Sequence, residues 1–143
     1  DTPEGERALH YAARRAARTG ASVVALVVMA NTEFQHWLGV ENLMKEEAEA
    51  EANHLLDKTI GRLTAVGSDE PERKIVMANR TDGIRQAIAD DPSIAVLVLA
   101  AAAGSDGPGP LVSAIASGQA GGYPIPITIV PGELTAEEIE AIA

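Results

Sequence analysis

Ala21-Ser-Val-Val-Ala-Leu-Val-Val-Met-Ala30 is an almost unbroken apolar run, and Ile94-Ala-Val-Leu-Val-Leu-Ala100 repeats the pattern. Runs of this length, without polar alternation, are expected of strands covered on both faces, as in the interior of a parallel sheet. Parallel neighbours need long crossovers, usually helices. The sequence around the two runs supplies them. Leu43, Met44, Ala48, Ala52, Leu55, Leu56, Ile60 and Leu63 recur at helical spacing between about Val40 and Ala65. Glu46, Glu47, Glu49 and Glu51 occupy much of the rest of that helix and read as a solvated face.

Working toward the ends, Thr2 suits a helix N-cap and Pro3 the first helical position, where its missing N–H is not needed. Ala8, Leu9, Ala12, Ala13, Ala16 and Ala17 continue that helix, and Gly20 stops it. Arg14, Arg15 and Arg18 lie toward its C-terminus, where the helix dipole favours cations. Arg73-Lys-Ile-Val-Met-Ala78 predicts a short strand, and Thr81 or Asp82 a cap for a helix ending near Ala89. The glycine- and proline-rich loop Gly104–Pro110 leads to a helix from Leu111 to about Gln119. Ile125-Pro-Ile-Thr-Ile-Val-Pro131 is a last strand, placed at an edge because Pro126 and Pro131 cannot donate to a ladder. Thr135 and Glu138 form a capping box opening a terminal helix. The order α-β-α-β-α-β-α-β-α predicts a single-domain α/β fold with a parallel sheet. A helix comes first where such folds have a strand. The expectation is either a sheet of four strands or a first strand lying upstream of Asp1.

The 143 residues suit one domain, and 46% hydrophobic against 22% charged residues permits a core. Aromatic residues are only 3%, so aliphatic side chains must build it. The net charge of −10 argues against nucleic acid or an anionic membrane as partner. Cysteine is absent, which excludes disulfides, thiol catalysis and cysteine-bound metal. No apolar run spans a bilayer and no signal segment opens the chain, so the expected location is the cytoplasm.

Ligands of open α/β sheets collect at the C-terminal ends of the strands. Three stretches qualify: Asp1-Thr2, the strand end Val28–Asn31, and the Gly104–Pro110 loop. The loop's glycines allow close backbone approach to a phosphate, and a plain strand-to-helix turn uses the same residues. No Lys or Arg follows Arg85. There is no Gly-x-x-x-x-Gly-Lys-Ser/Thr motif and no Gly-x-Ser-x-Gly elbow. His10, His36 and His54 lack helical metal-ligand spacing. Phe34, Trp37 and Tyr123 are the loop aromatics, too few for a flavin site, and Phe34–Trp37 reads as a core cap or an interface.

Taken together, these stretches resemble the universal stress protein family. Asp1-Thr-Pro-Glu-Gly-Glu-Arg-Ala-Leu-His-Tyr-Ala12 is similar to the family's opening aspartate, small-residue loop and Ala-Leu helix. Gly20-Ala21 with its valine-rich strand, the run 94–100, the glycine loop and Pro124–Pro131 look like its second, fourth and fifth strands. The match runs over residues 1–131, with 132–143 as a helical extension. The resemblance implies an adenine nucleotide alpha hydrolase-like sheet in the order 3-2-1-4-5, with the first strand upstream of the numbered chain. It also implies a homodimer through Ile125–Val130.

Many members bind ATP through Gly-x2-Gly-x9-Gly-Ser/Thr. Here the strand-anchored alignment gives Ala100-x2-Ala103-x9-Ser113-Ala114. A shifted one gives Gly104-x2-Gly107-x10-Gly118-Gln119, one residue too long and without the final hydroxyl. Asp1 and Val28 match the positions that face ribose and adenine. The expected site residues are Asp1, Val28, Gly104, Gly107, Gly109 and Ser113, with no catalytic or metal-binding residue. The resemblance implies a stress-response or regulatory protein, not an enzyme, holding ATP or another adenine nucleotide weakly. Two readings stand beside it: a nucleotide-dependent switch or slow ATPase using the same cleft, and a small-molecule-binding α/β domain of unrelated chemistry.

Overall fold

The computed structural model describes residues 2–30, 41–118 and 122–143, with backbone only for 41–44. Asp1, the Phe34–Trp37 loop with His36, Gln119 and the side chains of Leu43 and Met44 therefore lie outside the described residues. Among the described residues, five helices and four strands alternate: α1 Pro3–Thr19, β1 Val24–Met29, α2 Glu41–Ala65, β2 Glu72–Met77, α3 Arg80–Asp90, β3 Leu97–Ala100, α4 Pro110–Ala116, β4 Ile127–Val130 and α5 Ala136–Ile142.

Local chemistry explains the helix ends. The Gly5 N–H donates to the Thr2 hydroxyl at 3.0 Å, and Gly20 closes α1 at φ 74°. Thr135 and Glu138 make the reciprocal capping box. The cap of α3 differs from expectation. Asn79, not Thr81 or Asp82, accepts the Asp82 N–H at 2.9 Å, and the helix starts at Arg80. The helix starts before Thr81, which therefore already has helical backbone and lies inside the first turn.

All strand pairing is parallel. β1 pairs with β2 in the register Val24–Glu72 through Met29–Met77. β3 pairs with β4 from Leu97–Ile127 through Ala100–Val130. The described strands thus form two two-stranded sheets rather than one continuous sheet. In the expected order 3-2-1-4-5, these are the two flanking pairs, and the join between them is not made.

Two apolar clusters occupy opposite sides of the strands. Ala13 of α1, Ala25 of β1, and Leu56 and Leu63 of α2 form one. Ile84 and Ile88 of α3, Ile115 of α4, and Tyr123 form the other, with Leu26, Val28, Leu97, Leu99 and Ile127 packed on it. Side chains of β1 alternate between the clusters, Ala25 and Val27 to one, Leu26 and Val28 to the other. The architecture is helix, strand, helix in three layers. Glu46, Glu47, Glu49 and Glu51 are exposed, as a solvated face requires.

The two valine-rich runs are less covered than their composition predicts. Most of β1 and all of β3 are half-buried, and Val96 is 47% exposed. Helices cover their faces, but among the described residues each strand has a hydrogen-bonded neighbour on one side only. Tyr123, read from sequence as a loop aromatic, is 7% exposed within the second cluster.

α5 packs along α1. Ile139 is 1% exposed there. Arg18 of α1 donates to the carbonyls of Ala143 and, at 2.6 Å, Glu140, capping the open end of α5. Among the described residues, no helix is long and apolar enough to cross a membrane.

Candidate functional site

Residues at the C-terminal ends of β1 and β2 meet the start of α4 around a small cleft of about 310 Å³. Val28, Ala30, Ala78, Arg80, Leu111 and Ala114 form most of its wall. This is the sheet end at which open α/β folds hold ligands, and the volume lies at the low end of the roughly 300–1,000 Å³ of small-molecule sites.

Val28 is held there by backbone packing. A Cβ on Gly83 of α3 would come within 2.5 Å of Val28 Cγ1, so the bare glycine lets helix and strand approach. Arg80 is the cation of the cleft. It occupies the first turn of α3, where the helix dipole disfavours positive charge, and Asp82 in the same turn offsets it. A search for cations near the glycine loop passes over Arg80, because it precedes that loop by more than twenty residues. The signal was its position directly after a strand.

The glycine loop runs beside the cleft rather than into it. Gly104, Gly107 and Gly109 have φ of 107°, 91° and 99°, so each needs glycine for its backbone. None of the three, nor Ser113, lines the cleft, and Gly104, Gly107 and Ser113 are exposed. Gly109 directly precedes the cleft residue Pro110. The loop closes on itself through the Ala102 N–H, which donates to the Pro108 carbonyl at 2.9 Å. The Ser113 N–H is used inside α4, donating to Gly109 at 2.9 Å.

Glu4 takes another donor of this region. Hydrogen bonds from its own N–H, and then from Ala103, hold its carboxyl below the usual carboxylate range, with smaller help from Thr2 and Arg7 and partial burial opposing. Gly132 completes the contact: a Cβ there would meet Glu4 Cγ at 2.6 Å and the Ala103 nitrogen at 3.0 Å. The Glu4 side chain thus lies beside the backbone just after β3.

His10 is half-buried and His54 is exposed. His10 Nε2 lies 2.7 Å from Glu140 Oε1 and ties α1 to α5. No group of three or more His, Cys, Asp or Glu able to hold a metal occurs among the described residues.

Two solved structures share this architecture. The universal stress protein UspA from Lactobacillus plantarum superposes with a TM-score of 0.68 at 21% identity, over 89% of each chain. The chain has the universal stress protein fold. A universal stress protein crystallised in complex with cAMP superposes with a TM-score of 0.64 at 14% identity, over 92% of this chain and 90% of that one. Neither a protein-family model nor a curated protein sequence matches the chain.

Proposed function

We propose that this universal-stress-type chain is a cytoplasmic regulatory or stress-response protein, and that it binds an adenine nucleotide weakly at the cleft between β1, β2 and α4. The observation that carries the reading is the cleft itself: an apolar wall of Val28, Ala30, Leu111 and Ala114 facing one guanidinium, Arg80, at the ligand end of the strands. The apolar wall suits a purine ring, and Arg80 suits a phosphate. The protein solved with cAMP, which shares the fold, supports the same class of ligand.

Weak binding follows from the loop. Ala100 and Ala103 stand where the family's strand-anchored glycines would be, and the Glu4 side chain lies close to the backbone at Ala103. Gly104, Gly107, Gly109 and Ser113 remain the proposed phosphate side only if the loop opens toward Arg80. Asp1 keeps its proposed place beside the ribose.

Calorimetric titration with Mg-ATP and with cAMP tests this. Dissociation constants weaker than about 10 μM are expected for the chain, lost further in Arg80→Ala, and tightened severalfold in Glu4→Gln. A submicromolar constant that Arg80→Ala leaves unchanged would place the ligand elsewhere.

We further propose that two copies associate through β4. Ile129 is 41% exposed on a strand that pairs on one side among the described residues, an arrangement that favours pairing with a second edge.

A further inference from the structure

The glycine loop and the last helix meet at one residue. Gly132, just past β4, is buried and has no room for a side chain. A Cβ there would collide with the Ala101 carbonyl oxygen and lie 3.0 Å from the Ala103 nitrogen. Those two residues flank Ala102, whose N–H closes the loop on the Pro108 carbonyl at 2.9 Å. The backbone on both sides of the closing hydrogen bond is thus seated against Gly132.

Gly132 is tied in turn to α5. Pro131 fixes φ ahead of it. Two residues further on, the Leu134 carbonyl accepts from Arg7 Nε at 2.6 Å. Within α5, Glu140 Oε1 lies 2.7 Å from His10 Nε2, and its Oε2 accepts from Arg14 Nε at 3.0 Å. The Glu140 carbonyl accepts from Arg18 at 2.6 Å. Arg7, His10, Arg14 and Arg18 follow one another at spacings of three and four, so they form a single row along α1. α5 and its lead-in lie along that row.

An attachment of this kind releases locally. Ile139 is buried, but Ala136, Glu137, Glu138, Ala141 and Ile142 are exposed. Among the described residues, neither apolar cluster of the core contains a residue of α5. The ties of Glu140 to His10 and Arg14 involve partly exposed partners, and such pairs are individually weak. Segments with few buried apolar contacts open at free energies below that of global unfolding.

We propose that α5 is a releasable strap that locks the glycine loop. Docked on the α1 row, it holds Gly132 against residues 101 and 103 and keeps the Ala102–Pro108 hydrogen bond closed. Released, it frees the loop to open toward Arg80. The strap stands on packing alone, whereas its control of a ligand rests on the nucleotide reading of the cleft. By linkage, a ligand that needs the open loop loosens α5 by the same factor by which docked α5 weakens the ligand.

Site-resolved amide exchange tests the strap in the parent chain, Ile139→Ala, Ile139→Asp and the control Ile142→Gln. The Ala143 amide, bonded to the Ile139 carbonyl, reports α5, and the Ala102 amide reports the loop. The Ala78 amide, bonded to the Met29 carbonyl, reports the remote strand pair. In Ile139→Asp, exchange at Ala143 and Ala102 is expected to be about tenfold or more faster, with Ala78 unchanged and a smaller effect of the same pattern in Ile139→Ala. Ile142→Gln should match the parent. Faster exchange at Ala143 with Ala102 unchanged would uncouple α5 from the loop and overturn the proposal. Acceleration at Ala78 equal to that at Ala143 in both Ile139 variants would make α5 part of the global folding unit, and unchanged Ala143 in both would show that it does not release. Either result overturns the strap. Titration with cAMP separates this from the nucleotide reading. Affinity tightened severalfold in Ile139→Asp supports control of the cleft, and equal affinity in parent and variant overturns it. Faster Ala102 exchange with cAMP bound by none of the chains would end the nucleotide reading and leave the strap standing.

Discussion

At the scale of single residues, Gly83 decides how closely α3 lies on β1. In an exposed helix, Gly→Ala stabilises by about 1 kcal/mol through helix propensity. Here the new methyl would meet Val28 Cγ1 at 2.5 Å, a backbone-fixed clash inside a packed layer. Overpacking of this kind costs about 1–3 kcal/mol, so Gly83→Ala is expected to destabilise by ~1 kcal/mol net. Val28→Ala in the same chain should restore part of the loss. Urea unfolding of the single and double variants measures it. Additive losses in the double variant would show that the two side chains do not share the space.

At the scale of elements, the docking of α5 on α1 joins hydrophobic burial to a charged cluster. Ile139 supplies the buried contact, and Glu140 accepts from His10 and from Arg14 Nε at 3.0 Å. The His10 hydrogen bond, chiefly, and the Arg14 charge hold the Glu140 carboxyl below its ordinary value of 4.5, with partial burial opposing. A carboxyl with a lowered pKa contributes stability that is full above its unfolded value and disappears as pH falls through the folded value. Stability should therefore decline below about pH 4.5, and Glu140→Gln should be less stable than the parent at neutral pH with a flatter acid limb. Urea midpoints measured from neutral to acid pH check this. Equal slopes in parent and variant would remove Glu140 from the account of acid sensitivity. Because Glu140 is partly exposed, added salt should narrow the difference.

At the scale of the whole molecule, association depends on which β4 side chains are already used. Ile125 and Ile127 pack on the second cluster, so a charge at Ile127 would disrupt the protomer itself. Ile129 is the exposed one. Ile129→Lys is expected to leave the fold intact, read by an unchanged urea midpoint, and to move sedimentation from dimer to monomer. A parent chain that sediments as a monomer at micromolar concentration would end the proposal of pairing. Each protomer carries −10, so association should strengthen as salt rises. A dimer that weakens with salt would point to an interface held by ion pairs rather than by the aliphatic strand.

Much of this protein was legible along the chain, because the signals concerned are local. Thr2 and Pro3, Gly20, and the Thr135–Glu138 box mark helix ends by contacts spanning a few residues, and the structure places them as read. The unbroken aliphatic runs identified β1 and β3 as strands with apolar layers on both faces, and the α/β alternation follows from the same patterning. What those runs could not state is which neighbour each strand pairs with. Pairing is a contact between distant residues, and Val27 reads the same whichever strand its peptide group meets. The candidate site divides in the same way. Val28 stands at a strand end, a place readable along the chain, whereas Arg80 borders the cleft because α3 begins beside it, and Glu4 approaches Ala103 across about a hundred residues of chain. The sequence by itself determined the elements and their order, since backbone sterics, capping and side-chain periodicity act between near neighbours. Only the tertiary structure decided the strand pairing and the cleft, since these exist where segments far apart in the chain are packed together.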